Sequence, residues 1–215
     1  MQLSATIDDQ FGLPLSSGSV LAYAPVMRPS LDDSALMLRY KDGDEAAFEQ
    51  LYRRHNDALY RYLLRLCRNR HTAEDLYQET WSKIIRSRSR YRPTAKFTTF
   101  LFRVAHNSFI DYIRRNKRHS AVSESDPDTT AAPGDGPSVL VEKSKARDRL
   151  EAALLILPDE QRDVFLLHEE SGLNLDAIAH VTGVNRETVK SRLRYAVRKL
   201  KAAMSDPGLT SGKSS

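Results

Sequence analysis

The chain has 215 residues, enough for one ordinary domain or two small ones, with 40% hydrophobic and 28% charged residues in a soluble globular balance. No apolar run approaches the ~18 residues of a membrane span, and the single cysteine, Cys67, excludes a disulfide scaffold and an all-cysteine zinc site. The formal charge of +5 makes nucleic acid an eligible partner without proving one.

Residues 1–30 lack a basic start, and Asp8 and Asp9 precede a mild apolar stretch, which does not fit a secretory leader. With so little cysteine, the expected location is the cytoplasm. This segment is expected to be a flexible extension. Residues 31–118 then carry helical spacing three times over. Phe48, Leu51, Tyr52, Leu59, Leu63 and Leu66 mark one helix. Leu76, Trp81, Ile84 and Ile85 mark a second, and Leu101, Val104, Ala105, Phe109 and Ile113 a third.

Between 119 and 142 the chain has five acids and no Lys or Arg, a formal charge of −5 that leaves +10 for the rest. Pro127, Pro133, Gly134, Gly136 and Pro137 interrupt it. Such a stretch buries too little apolar area to offset the entropy of ordering, so residues 119–145 are expected to be a flexible acidic linker. Residues 146–204 return to helical patterning, with Leu150, Ala153, Leu154 and Leu157 before Pro158, which suits the first turn of a new helix. Val164, Phe165 and Leu167 follow, and Gly172 ends that helix. Residues 205–215 are expected to be a tail. No alternating strand pattern and no internal repeat is present. The expected fold is all-α, two small helical domains joined by the linker.

Residues 175–194 are the most informative. Leu175, Ile178, Ala179 and Val181 describe a short amphipathic helix with Asn174 as N-cap. Gly183 supplies a turn, where positive φ costs no side-chain clash. Asn185 caps a second helix. A small residue (Ala179), then Gly four on, then an aliphatic (Val189) six further is the spacing of a DNA-binding helix-turn-helix. On the second helix Val189, Leu193, Ala196, Val197 and Leu200 form the inner stripe. Glu187, Lys190, Ser191, Arg194 and Arg198 lie opposite, with Arg186 at the N-terminal end. Lys and Arg suit phosphates or guanine edges, Ser suits either, and Glu187 suits a cytosine amino group. The plainer account of the same pattern is a solvated basic helix in a small bundle.

Chemistry-bearing residues elsewhere are sparse. Cys67 lies in an apolar run and reads as packing. His55, His71, His106, His119, His168 and His180 are scattered without metal-ligand spacing, and no phosphate-binding glycine loop occurs. No catalytic residue, metal or cofactor is expected.

Taken together, the motifs resemble the bacterial RNA polymerase sigma factors of the extracytoplasmic-function (group IV) class, over about residues 31–203. Leu157-Pro158, Gln161-Arg162, Val164-Phe165-Leu166, Ile178-Ala179, Gly183 and the run Thr188 to Leu193 resemble region 4. Asp44, Ala47-Phe48 and Leu51-Tyr52 resemble the opening helix of region 2. Ala73 to Leu76 with Gln78-Glu79 resembles region 2.2. Phe97, Leu101, Ala105-His106-Asn107, Asp111-Tyr112 and Arg114-Arg115 resemble regions 2.3 and 2.4. Three positions depart from the pattern: His71-Thr72 stands where an acid is usual, Phe100 replaces a common Trp, and Ala177 replaces a common Glu.

The resemblance implies a promoter-recognition subunit. The helix at 186–198 would read the upstream (−35) element through Arg186, Glu187, Lys190, Ser191, Arg194 and Arg198. The first module would hold the (−10) element as a separated strand, since freed bases need an aromatic or polar pocket beside a basic track. Tyr91, Phe97, Phe100 and Phe102 lie among basic residues there, and the expected contacts are Arg92, Lys96, Phe100, Arg103, Asn107, Asp111, Arg114 and Arg115. Phe100 also reads as core, and Asn107 as a surface residue. Asp75, Leu76, Gln78 and Glu79 would dock on the clamp helices of the largest subunit of core polymerase. The acids there also simply suit a helix N-terminus. The linker would thread toward the polymerase active centre, or is merely solvated. Many members of the class are held by an anti-sigma factor, although no residue here identifies one. The alternative is a helix-turn-helix regulator that acts without polymerase, which would be expected to dimerise on paired half-sites.

Overall fold

The computed structural model describes residues 31–120 and 149–205, with side chains from 31–118 and 149–205. The expectations for 1–30, for most of 119–145 and for the tail lie outside the described residues. Among the described residues every regular element is helical, as the periodicity predicts.

Five helix starts are set by a side chain that accepts from the backbone three residues on, a contact that satisfies one of the four orphan N–H groups of each N-terminus. Asp32 Oδ1 accepts from Ala35 N at 2.7 Å and begins α1 (Asp33–Lys41). Asp44 begins α2 (Glu45–Cys67) at 3.2 Å from Ala47 N, and Asn69 begins α3 (Arg70–Ser87) at 2.9 Å from Thr72 N. A short 3-10 turn, Arg88–Arg90, leads towards α4 (Phe97–Ser120). In the second half, residues 149–155 are helical (α5), followed by α6 (Asp159–Ser171), α7 (Leu175–Thr182) and α8 (Arg186–Ser205). Asn174 and Asn185 cap the last two, at 2.9 Å and 2.7 Å from Ala177 N and Thr188 N. Pro158 stands one residue before α6, at its N-cap, where its carbonyl accepts from Arg162 N.

The apolar stripes pack largely as predicted. Leu51, Leu59, Leu63 and Leu66 of α2, Leu76, Trp81 and Ile84 of α3, and Leu101, Ala105 and Phe109 of α4 are buried. Ile85 is not: it is 42% exposed, because the next residue along a helix turns ~100° away from the inner face of Ile84. Helix α1 has no counterpart among the predicted stripes, yet it buries Leu36, Met37 and Tyr40. Tyr40, Phe48, Tyr52 and Trp81 stack in sequence across α1, α2 and α3 with ring centroids 4.7 to 6.4 Å apart. In the second half Ala153, Leu154 and Leu157 meet Val164, Leu166, Leu167, Ile178, Val189 and Leu200.

The described residues belong to one compact unit, with α6 against α2 and α7 against α4, so the buried apolar side chains of both halves form one cluster. Cys67 sits at the end of α2, and burial pushes its thiol up to about 12, consistent with a packing role.

The turn between α7 and α8 follows the predicted chemistry. Gly183 has φ +70°, and its N–H donates to Ala179 O at 2.9 Å. An added Cβ there meets nothing within 4 Å, so the penalty of a side chain is conformational alone. Gly183→Ala is therefore expected to cost about 1 kcal/mol and lower the thermal midpoint by about 2–4 °C. An unchanged midpoint in a thermal melt would contradict this account.

Candidate DNA and polymerase interfaces

The helix-turn-helix presents α8 as expected. Val189, Ala196 and Leu200 are buried under α6 and α7, which turns Arg186, Glu187, Lys190, Arg194 and Arg198 outward. Ser191 is half-buried at the edge of that face. The outward charges are held loosely. Arg186 Nε lies 3.1 Å from Asp176 Oδ1, and Lys190 Nζ 3.9 Å from Glu187 Oε2, both pairs more than half exposed. Such pairs are weak in water and yield readily to a phosphate. Arg194 and Arg198 flank the Tyr195 ring, with guanidinium carbons 5.3 and 4.9 Å from its centroid. The ring contacts steady two otherwise flexible cations. Arg192, by contrast, is turned inward to pair with Glu160 of α6.

The face expected to hold an opened strand divides in two. Arg92 and Lys96 lie exposed ahead of α4, and Asn107, Asp111, Arg114 and Arg115 line its exposed side. Arg114 is 4.0 Å from Asp111 Oδ1, and Arg115 is 4.0 Å from Glu79 Oε2. The aromatic residues mostly face the other way. Tyr91, Phe97 and Phe102 are buried, so they form the floor of the module and are not available to stack on bases. Phe100 is half-buried against Tyr91 and Phe97, at 5.4 and 6.3 Å, and keeps one edge at the surface. Arg103 is exposed but engaged: its guanidinium is 2.9 Å from His180 Nε2 on α7.

On α3, Asp75 and Gln78 are exposed and Glu79 half-exposed. Leu76 is only 2% exposed and belongs to the core, because its neighbours on the inner face of α3, Ala73 and Thr80, are themselves buried. So placed, Leu76 does not have the exposure expected of a docking anchor, and the exposed or half-exposed side chains of this face are Asp75, Gln78 and Glu79. Glu79 Oε1 accepts from Lys83 Nζ at 2.7 Å. One turn back, Arg70 Nε donates to Glu74 Oε1 at 2.8 Å and holds that carboxyl below its ordinary value. Beside this face, Tyr52, Asn56, Asp57, Tyr60, Glu74, Tyr77 and Gln78 line an open cleft of about 440 Å³ between α2 and α3. The Tyr77 hydroxyl donates to Tyr52 Oη at 2.9 Å, and its pKa is raised, chiefly by burial. Among the described residues no cluster of His, Cys, Asp or Glu has the arrangement of a metal site.

What periodicity does not indicate is a set of polar residues between the two halves. Tyr62, fully buried on α2, donates to Asp163 Oδ1 on α6 at 2.8 Å. Burial, and then the Asp163 charge, hold the Tyr62 hydroxyl well above its ordinary pKa. His106 Nδ1 on α4 stands 3.0 Å from Asp163 Oδ2, near enough for an ion pair but off the line of an aligned hydrogen bond. Glu170 accepts from Arg61 Nε at 2.7 Å and also from Arg65.

Two known protein families match the chain, one in each half. The Sigma-70 region 2 family matches residues 51–119, and the Sigma-70 region 4 family matches residues 153–202. The chain is 34% identical over 180 residues to the ECF RNA polymerase sigma factor SigE of Mycolicibacterium smegmatis, covering 81% of this chain and 69% of that one. It is 32% identical over 174 residues to the RNA polymerase sigma factor CarQ of Myxococcus xanthus, covering 79% and 96%. Among solved structures, the fold is similar to the sigma factor RpoE of Bartonella quintana, in complex with the anti-sigma factor NepR, at TM-score 0.63 and 23% identity, covering 74% of this chain and 98% of that chain. CnrH, in complex with the cytosolic domain of CnrY, gives TM-score 0.59 at 22% identity, covering 83% and 99%. The alternative of a regulator working without polymerase gains no support from these likenesses. The chain belongs to the extracytoplasmic-function family of RNA polymerase sigma factors, the class that directs core polymerase to promoters and initiates transcription.

Proposed function

We propose that the division of labour within this sigma factor follows its exposed faces. The α8 face of Arg186, Glu187, Lys190, Ser191, Arg194 and Arg198 reads the −35 element in the major groove, where charged and hydroxyl side chains discriminate base edges. Arg92, Lys96, Phe100, Asn107, Asp111, Arg114 and Arg115 take the −10 element as an opened strand, and Arg103 joins them once released from His180. Asp75, Gln78 and Glu79 meet the clamp helices of the largest polymerase subunit. The observation that carries the reading is the exposed cationic face of α8, set outward by a buried Val189 and a left-handed Gly183.

The protein performs no catalytic step of its own. It acts in the cytoplasm, where the polymerase works, and an anti-sigma factor is its natural restraint. The two solved relatives, both bound to partner proteins, support that last point. In vitro transcription with purified core polymerase on a random promoter library tests the whole reading. Enrichment of paired upstream and downstream motifs, with defined start sites, is expected. Start sites no different from those of core enzyme alone would refute it.

A further inference from the structure

We propose that Lys41, the last residue of α1, is a positioning residue for the loop that meets the opened −10 strand. Its bond to the Tyr91 carbonyl sets where Arg92 and Lys96 stand. This rests on the strand-binding role proposed above for those two residues and Phe100. The loop, residues 92–96, has every side chain exposed, so packing does not hold it. Its internal bond is a three-residue turn about Pro93, with Thr94 N donating to Arg92 O at 2.8 Å. A segment with so few buried contacts takes its shape from its two ends. At the far end Phe97 is buried, with its ring 5.4 Å from His55 of α2. At the near end Lys41 Nζ donates to Tyr91 O at 3.2 Å, across 50 positions of sequence.

Helix α1 is held well enough to serve as the fixed point. At its start Asp33 lies 2.7 Å from Arg54 Nη1 and 2.8 Å from His55 Nε2, both on α2. Leu36, Met37 and Tyr40 are buried, and the Tyr40 ring lies 4.7 Å from that of Phe48. At its end Asp42 N, Gly43 N and Asp44 N donate back to Leu38 O, Tyr40 O and Arg39 O. Arg88, just ahead of the loop, adds a second tie, its guanidinium carbon 5.3 Å from the Tyr40 ring centroid. A lysine in the last turn also suits the helix dipole. That accounts for a cation at this position, and not for its bond to a carbonyl on another element. Tyr91 connects the bond to the strand-binding face. Its buried ring lies 5.4 Å from that of Phe100 and 6.5 Å from that of Phe97. Lys41 therefore holds the backbone of the residue whose ring supports Phe100.

The test uses the full chain carrying Lys41→Met, which keeps the length and loses the donor, or Lys41→Arg, which keeps a donor. Each is assembled with core polymerase. Affinity is measured for a −35 duplex joined to an unpaired −10 strand. That strand carries either the −10 bases the parent holoenzyme selects from a promoter library or single-base replacements of them. A hydrogen bond from a charged donor is worth about a factor of ten, and less where it meets water. The ratio of matched to replaced affinity is therefore expected to fall about fivefold in Lys41→Met and to recover in Lys41→Arg. Affinity for core polymerase and for the −35 duplex alone stays as in the parent, and so does the salt slope. A Lys41→Met chain that discriminates like the parent overturns the proposal. So does an equal loss on every strand with the salt slope reduced by about 0.7, since Lys41 would then contact a phosphate directly. Loss of all affinities together, without recovery in Lys41→Arg, marks Lys41 as merely structural and also overturns it. A parent holoenzyme with no preference among −10 bases would instead refute the strand-binding reading on which the proposal rests.

Discussion

Reversing charge at Lys190 and Arg194 together is expected to weaken promoter binding by the holoenzyme about 100-fold or more and to leave affinity for core polymerase unchanged. Each base or phosphate interaction is worth about 1–3 kcal/mol, and the reversal adds repulsion to its removal. Both side chains lie on the outer face of α8, opposite Val189, Ala196 and Leu200, so the helix remains seated. What is given up internally is small: a 3.9 Å surface pair between Lys190 and Glu187 and a ring interaction between Arg194 and Tyr195. The salt dependence offers a second readout. Neutralised phosphates release counterions, so the log–log slope of affinity against salt is expected to fall by about one for each phosphate the variant no longer neutralises. Loss of core binding with promoter binding intact would show that α8 faces the polymerase and not the DNA.

The second large effect is expected on α3. Asp75→Arg should weaken core polymerase binding by at least about tenfold while binding to an isolated −35 duplex stays as in the parent chain. Asp75 is the clean position, since its pairing with His71 is a loose 3.8 Å approach at the surface. Glu79 is less clean. It stands between Lys83 at 2.7 Å and Arg115 at 4.0 Å, so Glu79→Arg crowds three cations and also disturbs α4. The pair of reversals should therefore act on both surfaces, and the single one on polymerase alone. Leu76→Ala would not discriminate. Truncating a buried leucine typically costs about 2–5 kcal/mol of stability and would depress every function together. Competition binding with fluorescently labelled core polymerase measures these differences. An Asp75→Arg protein that binds core as tightly as the parent would remove this surface from the interface.

The helices and their ends were legible in the chain because the rules that set them are local. Asn174, Gly183 and Asn185 act within a few residues of themselves, and the structure finds each in its expected role. The outward face of α8 followed in the same way, since an inner stripe fixes the opposite side of the same helix. The acidic run of α3 was equally visible, but not the fate of Leu76, which depends on what covers it. The aromatic residues around α4 show the same limit. Tyr91, ahead of α4, and Phe97 and Phe102 within it sit among cations in sequence yet point into the core, because neighbouring residues along a helix are turned ~100° apart and so face different environments.

Sequence by itself therefore determined the all-α character, the capped helix-turn-helix and the family likeness, all of which rest on spacings of a few residues or on motif order. Tertiary structure alone decided which polar groups meet. Tyr62 and Asp163 are 101 positions apart, and Arg65 and Glu170 105. A helical period tells which side of a helix is apolar, but it carries no information on which other helix will cover that side. An isolated aspartate in an amphipathic helix reads as solvent-facing. Only the docking of α6 on α2 and α4 turns Asp163 into a buried acceptor with partners.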